Sequence, residues 1–411
     1  LTGPTADEGT RAGGDAVAGE TTGPTAVVPF RQFVLKVHSR CNLACTYCYI
    51  YAGPDRSWRT RPRTVPAATV RQTARRIAEH ARTHRLRAVR IDLHGGEPLL
   101  TGPGPLLDQA AAVRAALPAG CTADFGVQTN GTLLTADIID TLGATGFRLG
   151  LSVDGGTPGL NRRRVDHAGR PSWPAVSRAA ALLHDRPEVF AGILCTIDIT
   201  ADPAEVYGSL RALGPPMLDF LLPHANWSSP PPATPGRASG PAGRTPYGDW
   251  LCTVFDLWWD GGPGPRVRVF TEILGLLLGR PSSSEAVGLS PVVAVIVDTD
   301  GAIEQVDSLK SAYEGAAATG LDVFRHTFDQ ALAHPGMAAR RTGRDGLGDR
   351  CRGCALVEVC GGGNYAHRYR ADGTGFGNPS VYCADLERLI RHIAARLKAE
   401  VTPNWRHPHT T

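Results

Sequence analysis

The chain has 411 residues, 42% of them hydrophobic and 20% charged, with a formal net charge of +4. That length and apolar share support one large or two to three smaller domains with real cores, while the slight positive balance, its arginines scattered rather than blocked, excludes a nucleic-acid reader. No long apolar run and no charged-then-apolar amino-terminal pattern occurs, so no membrane span and no signal peptide are expected, and the protein reads as cytoplasmic.

In chain order, residues 1–29 are rich in Gly, Thr, Ala and Pro without a hydrophobic period, the composition of a disordered tail. From Gln32 strand-like runs alternate with helical patterns: 33–37 then a helix near 66–84, 88–93 then 105–116, 123–128 then 135–143, 146–153 then 173–184, 190–197 then 203–212, and finally 218–223. Six β-α units predict an α/β fold with a parallel sheet, either doubly wound or a partial barrel; periodicity does not choose between them. Residues 228–248, dense in Pro, Gly and Ser, read as a linker. Apolar helices are expected at 249–259 and 266–279, where Trp250, Trp258 and Trp259 are read as packing. A last helix presents Leu386, Leu389, Ile390, Ile393 and Leu397 on one face.

Ten cysteines, seven of them in two groups, suit a reducing compartment and ligation rather than a disulfide framework. Cys41, Cys45 and Cys48 form a C-x3-C-x2-C run directly after the first strand. Three thiolates can hold three irons of a [4Fe-4S] cube and leave the fourth open. Zinc or a reduced thiol cluster is the alternative, although zinc usually takes four protein ligands. With Tyr47 before the third cysteine, the run matches C-x3-C-x-aromatic-C in full and resembles the radical S-adenosylmethionine (SAM) enzymes. The resemblance implies a partial (β/α)6 TIM-like barrel, SAM chelated on the open iron, and reductive cleavage of SAM to a 5′-deoxyadenosyl radical.

The other candidate residues fall where parallel α/β folds gather ligands, at the carboxyl ends of strands. Gly95 and Gly96 allow close backbone approach and Glu97 can receive an ammonium; HGGEP resembles the family's GGE motif, which implies binding of the SAM amino group. Asn130, Ser152 and Asp154 close the third and fourth strands and suit ribose hydroxyls, with ordinary turn chemistry as the alternative. Arg164 lies in an arginine-rich loop that resembles a His-Asp…Arg…Gly segment of the family, with Leu160 and Asn161 replacing His-Asp and Gly169 on the glycine. The resemblance makes Arg164 the ligand of the SAM carboxylate, held by two parallel hydrogen bonds.

The second group, Cys351, Cys354, Cys360 and Cys383, makes a complete set for zinc or a fully ligated cluster. Its spacing resembles the SPASM extension of radical SAM maturases, which implies an auxiliary [4Fe-4S] cluster. A further auxiliary site is not expected: Val306 and Asn364 stand at two of that pattern's cysteine positions, and 253–350 contains no cysteine. Asp307 corresponds to the base of sulfatase maturases, the alternative being a loop aspartate facing water; His224 is placed to meet substrate. The expected domains are a tail at 1–29, a radical SAM barrel at 30–227, linker and bridging helices at 228–290, a SPASM-type cluster domain at 291–385, and a terminal helix and tail at 386–411.

The stretch CGGGNYAHRY with NPSVYCADLERLI is most similar to radical SAM/SPASM maturases of the FxSxx-COOH peptide systems, many of which form cyclophanes. The resemblance implies two [4Fe-4S] clusters, SAM, an external electron donor, and a ribosomal precursor peptide crosslinked from a β-carbon to an aromatic ring. Thioether or formylglycine formation is the alternative within that chemistry; a zinc- or cluster-stabilised binding protein is the alternative outside it. The segment before Gln32 reads as too short for a fused peptide-recognition domain, so a separate recognition protein or direct docking is expected.

Overall fold

The computed structural model describes residues 28–232 and 245–401; residues 1–27 of the tail expected at 1–29, part of the linker, and 402–411 lie outside them. Six strands, β1 (Gln32–His38), β2 (Ala88–Gly95), β3 (Thr122–Thr129), β4 (Phe147–Ser152), β5 (Phe190–Thr196) and β6 (Met217–Leu221), alternate with five helices, α1 (Ala67–Thr83), α2 (Gly104–Ala116), α3 (Ala136–Ala144), α4 (Trp173–His184) and α5 (Pro203–Ala212). Local chemistry explains the boundaries. Thr135 caps α3 by accepting from Ile138 N, and Asp202 caps α5 by accepting from Glu205 N ahead of Pro203. In α1 the residues Thr73, Ala74, Ile77, Ala78 and Ala81 form the buried stripe.

The strand order resolves what periodicity left open. β1 to β6 lie side by side in sequence order, all parallel. A doubly wound sheet reverses order at a switch point; an unreversed series of right-handed crossovers puts every helix on one face and leaves the other to curl around a site. That is the partial barrel. Its core is apolar and closed: Phe33, Val37, Ile91, Leu93, Phe125, Leu149, Leu151 and Ile193 are all about fully buried.

Beyond the linker, α6 (Pro246–Asp260), the two-residue β7 (Arg266–Val267) and α7 (Arg268–Leu277) follow, β7 pairing with β6. Three further strands were not expected: β8 (Ala294–Val297), β9 (Ala302–Glu304) and β10 (Ala318–Asp322). β8 adds parallel to β1, and β9 and β10 follow antiparallel, giving one sheet in the order β10-β9-β8-β1-β2-β3-β4-β5-β6-β7. Hydrogen bonding therefore runs across the boundary at 290/291. Four-residue apolar runs such as AVIV carry little periodic signal, which is why these strands escaped the sequence reading. The terminal helix Cys383–Val401 packs on α6 through Leu386, Leu389, Ile390 and Ile393, all buried as expected.

Candidate active site

The loop after β1 carries Cys41, Cys45 and Cys48 and is sewn to the arginine-rich loop after β4. Ala44 N donates to Val165 O (2.7 Å), Thr46 N to Arg163 O (3.1 Å), and Leu43 pairs with Asp166. The glycines of HGGEP serve this seam. A Cβ on Gly95, where φ is +152°, would lie 2.3 Å from His38 O, and one on Gly96 would lie 2.4 Å from Arg40 O. Their bare backbone lets the β2 end and the cysteine loop touch, with Gly96 N donating to His38 O (2.9 Å) and Glu97 N to Arg40 O (3.1 Å).

All three cysteines line one cavity of about 220 Å³. Of the other expected ligands, Gly95, Gly96, Asn130, Ser152 and Arg164 line it too. Ser152 Oγ accepts from Gln128 Nε2 (2.8 Å), and Asn130 Nδ2 reaches Cys41 Sγ (3.7 Å) and Asn42 Oδ1 (2.9 Å). Arg164 is buried; its Nη1 donates to Tyr47 Oη (2.6 Å) and lies 3.6 Å from Asp154, while its Nε finds no partner in the protein. A fixed guanidinium with a spare donor at a cavity wall has the chemistry to receive a carboxylate.

Three expectations need correction. Glu97 does not reach the cavity: it is fully buried, and its carboxylate accepts from Leu99 N (3.0 Å), Thr129 Oγ1 (2.7 Å) and Asn130 N (2.8 Å). It ties β2 to β3 from within. Asp154 also stands behind the wall, accepting from Tyr47 Oη and from Thr196 N (3.2 Å) and steadying Arg164. Asp307 is neither a loop carboxylate in water nor a poised base. It is buried, 2.7 Å from Lys36 Nζ and 3.5 Å from Lys310 Nζ. Burial alone would raise its pKa, but the two ammonium groups outweigh that and hold it well below the ordinary carboxylate range.

Sequence reasoning missed several cavity residues. Tyr47 was noted only as the aromatic of the motif, yet it joins Asp154 to Arg164. Tyr49, His94 and Gln128 also line the cavity, as does His224, which the sequence had placed there. Their positions, at strand ends or beside the cysteines, were the available signal. His224 is pushed down to about 4 and His94 is also lowered, in both cases chiefly by burial, so both imidazoles are neutral near pH 7.

The donor set fits a cluster that leaves one iron to SAM. Burial pushes the Cys41 thiol up to about 12, and the neighbouring Glu97, Cys45 and Cys48 charges add to this; Cys45 and Cys48 are raised by burial too. Thiolates crowded in this way are stabilised by a cationic metal group. A single tetrahedral zinc fits neither cysteine group as well, because thiolates at about 2.3 Å from zinc lie about 3.8 Å apart. Among the described residues only His80, His84 and Asp329 bring three such ligand atoms within 4.8 Å of one another, and there both imidazoles hydrogen-bond Asp329 (2.8 and 2.7 Å).

The second cysteine group is built differently. Gly361, Gly362 and Gly363 take φ of +58°, +77° and +69°, which turns three successive carbonyls onto one guanidinium: Arg368 Nη2 donates to Gly361 O and Gly363 O (both 2.7 Å) and Nε to Gly362 O (3.1 Å). Cys360 lies just before this turn, and its thiol is pushed up to about 11 by burial, with Cys383, Cys351 and Cys354 contributing as neighbours. Cys383 opens the terminal helix and Cys354 is exposed.

Residues 35–207 match the family model described as Radical SAM superfamily. The serine-type anaerobic sulfatase-maturating enzyme of Klebsiella aerogenes is 26% identical over 387 residues, 91% of this chain and 88% of that protein. The cysteine-type enzyme of Clostridium perfringens (strain 13 / Type A) is 26% identical over 286 residues, 68% of this chain and 74% of that protein. A solved structure described as native anSMEcpe with bound AdoMet has a TM-score of 0.74 at 21% identity, covering 91% of this chain and 100% of that one, a likeness of fold. No helix among the described residues is long and apolar enough to cross a membrane. The family match runs from β1 to α5, the same elements whose strand ends bring three cysteines onto one cavity, so residues 35–207 form a radical SAM domain.

Proposed function

We propose that this enzyme is a maturase of a ribosomally made peptide, oxidising the β-carbon of one residue and joining it to a nearby aromatic ring as a cyclophane. The observation that carries the reading is the cavity in which Cys41, Cys45 and Cys48 face Gly95–Gly96 and Arg164. Bound there, a [4Fe-4S] cluster with SAM supplies one-electron cleavage of SAM to a 5′-deoxyadenosyl radical, the species that removes hydrogen. The chain orients it: Arg164 takes the SAM carboxylate, the Gly95–Gly96 carbonyls take the ammonium, and Ser152 and Asn130 meet the ribose.

Forming a crosslink from a C–H and an aromatic C–H releases two hydrogens in all, so the protein must also receive a proton. His94 and His224 are the cavity groups with neutral nitrogens, and the fixed negative charge of Asp307 favours the protonated form of both. In this reading Asp307 is a counter-charge. Cys351, Cys354, Cys360 and Cys383 would hold an auxiliary [4Fe-4S] cluster in a SPASM-type segment within 291–385, which would supply an acceptor for the second electron. The peptide arrives alone or with a separate recognition protein, and an external donor supplies electrons.

Formylglycine formation is the second reading, favoured by similarity to sulfatase-maturating enzymes over nine-tenths of the chain. Anaerobic reconstitution followed by tandem mass spectrometry separates the two. The expected result is about eight irons per chain, deoxyadenosine formation, and a peptide that has lost two hydrogens, with fragmentation blocked between an aromatic and a nearby residue. A new aldehyde on a Ser or Cys would replace the first reading by the second.

A further inference from the structure

A second cavity abuts the reaction cavity, and the two share Leu221, Leu222 and His224. The volume open to the centre of a water molecule is about 80 Å³, against roughly 10–15 Å³ for one water, so it accommodates several heavy atoms. Its wall is mostly apolar, from Phe220, Leu251, Val269, Val287 and Leu386. The charged and amide groups at its edge are already engaged. Arg268 Nε donates to Asp219 (2.9 Å), Glu272 accepts from Ser283 N (2.8 Å), and Asn364 Oδ1 accepts from Ala366 N (3.0 Å).

Two imidazoles are not engaged. His367 is 4% exposed and neither ring nitrogen finds a partner in the protein; the Nδ1 of His224 is likewise buried and unpaired. Both rings line this cavity, with centroids 5.6 Å apart, and ring contacts hold them in place: His224 against Tyr49 at 4.4 Å and His367 against Tyr382 at 5.0 Å. Leaving a buried polar atom unpaired costs about 1–3 kcal/mol, a cost that a protein retains where a ligand supplies the missing bond. A planar apolar body with one hydrogen-bonding edge matches this chamber; a phenol or an indole is such a body.

We propose that this chamber is the specificity pocket for an aromatic substrate side chain bearing a hydrogen-bonding group, tyrosine or tryptophan, whose O–H or N–H pairs with His367 or His224. The inference rests on the peptide-maturase reading and extends it: the aromatic partner is held beside the cavity in which its neighbour's β-carbon is oxidised. A polar-edged ring is preferred over a bare one because only the former satisfies the imidazoles.

The test uses the anaerobically reconstituted full chain with p-cresol and toluene as probes, each titrated by calorimetry. Expected is at least tenfold tighter binding of p-cresol, with the preference lost in His367→Phe and both probes displaced in Val269→Phe, which fills the chamber. Equal binding of the two probes to the wild-type protein overturns the pocket, as does a cresol preference that survives both substitutions. Should His367→Phe fail to fold, the wild-type ratio and Val269→Phe still decide. Deoxyadenosine formation is measured on the same wild-type sample: if it occurs without a cresol preference, the pocket alone falls, and if it does not occur, the maturase reading and the substrate pocket fall together.

Discussion

The two cysteine groups solve one problem, holding several thiols close together, with opposite materials. Cys41, Cys45 and Cys48 ride a loop whose neighbours are strand ends: Gly95 closing β2 and Gly96 after it, Asn130 after β3, Ser152 at the end of β4 and Thr196 at the end of β5 all reach the same cavity. The second group is carried by helical segments: Cys351 in Asp349–Arg352, Cys360 in Val357–Cys360 and Cys383 at the start of the terminal helix. Its turns are short helical segments and three left-handed glycines, and what they share is the buried guanidinium of Arg368. A sheet positions a site by its own ladder of hydrogen bonds; among short helices and turns, a buried cation with several carbonyls takes its place.

The largest expected effect separates the two groups by function. Cys45→Ala should abolish deoxyadenosine formation under strong reductant. Cys354→Ala should lower iron by about four per chain, keep deoxyadenosine formation within a few fold, and stop release of crosslinked peptide. Anaerobic product analysis with iron counting checks both. Loss of SAM cleavage in both variants would mean that the groups are not independent and would break the comparison.

The same contrast decides how much of the molecule was legible in the sequence. The β1-to-α5 region announces itself because each strand and helix is long enough to show its period, and α4 was expected at its observed limits, 173–184. The strands of 294–322 contain three to five residues each, too few for periodicity, and their place beside β1 comes from long-range pairing. Within the site, motif positions indicated which residues gather but not which way they point. Glu97 and Asp154 occupy the right strand ends and turn inward to tie Asn130, Thr196 and Tyr47. Asp307 looked free because its partner Lys36 stands 271 residues away in β1.

Arg368 is the next lever. Arg368→Ala leaves three buried carbonyls unpaired and should cost about 3 kcal/mol or more, read as a lower unfolding midpoint and loss of the auxiliary iron, with Cys41-group iron retained. Arg368→Lys keeps the charge but not the planar fork that serves all three carbonyls, so an intermediate loss is expected. On the barrel side, Gly96→Ala places a methyl about 2.4 Å from Arg40 O. It should cost about 1–3 kcal/mol and weaken SAM binding in an equilibrium titration, because the β2 end and the cysteine loop must separate.

Acid should strain the junction of the two regions. Burial holds His224 down to about 4 and His367 well below its ordinary value. The folded state therefore binds these protons less readily than the unfolded chain, whose histidines titrate near 6.5. Stability is full above that value and declines as pH falls from about 6.5 toward 4. Denaturant titrations at pH 7.5, 6.5 and 5.5 should show this decline, and His367→Phe should make it shallower. An unchanged slope would mean that the imidazoles are not neutral in the folded protein.

The smallest effect lies where the terminal helix meets α6. Burial raises Asp385 to about 6, while its carboxylate accepts from Gly248 N (2.9 Å). With the folded pKa above the unfolded one, ionisation disfavours the fold, and stability falls as pH rises from about 4 to 6. Asp385→Asn keeps an acceptor for Gly248 and removes the charge, but it also removes a negative group from the first turn of a helix, where the dipole favours one. The net should be a gain of about 0.5–1 kcal/mol at pH 8, shrinking as pH is lowered through 6. A loss at pH 8 would show that the dipole term outweighs desolvation, and that the Cys383 end of the second group depends on charge as its Arg368 end does.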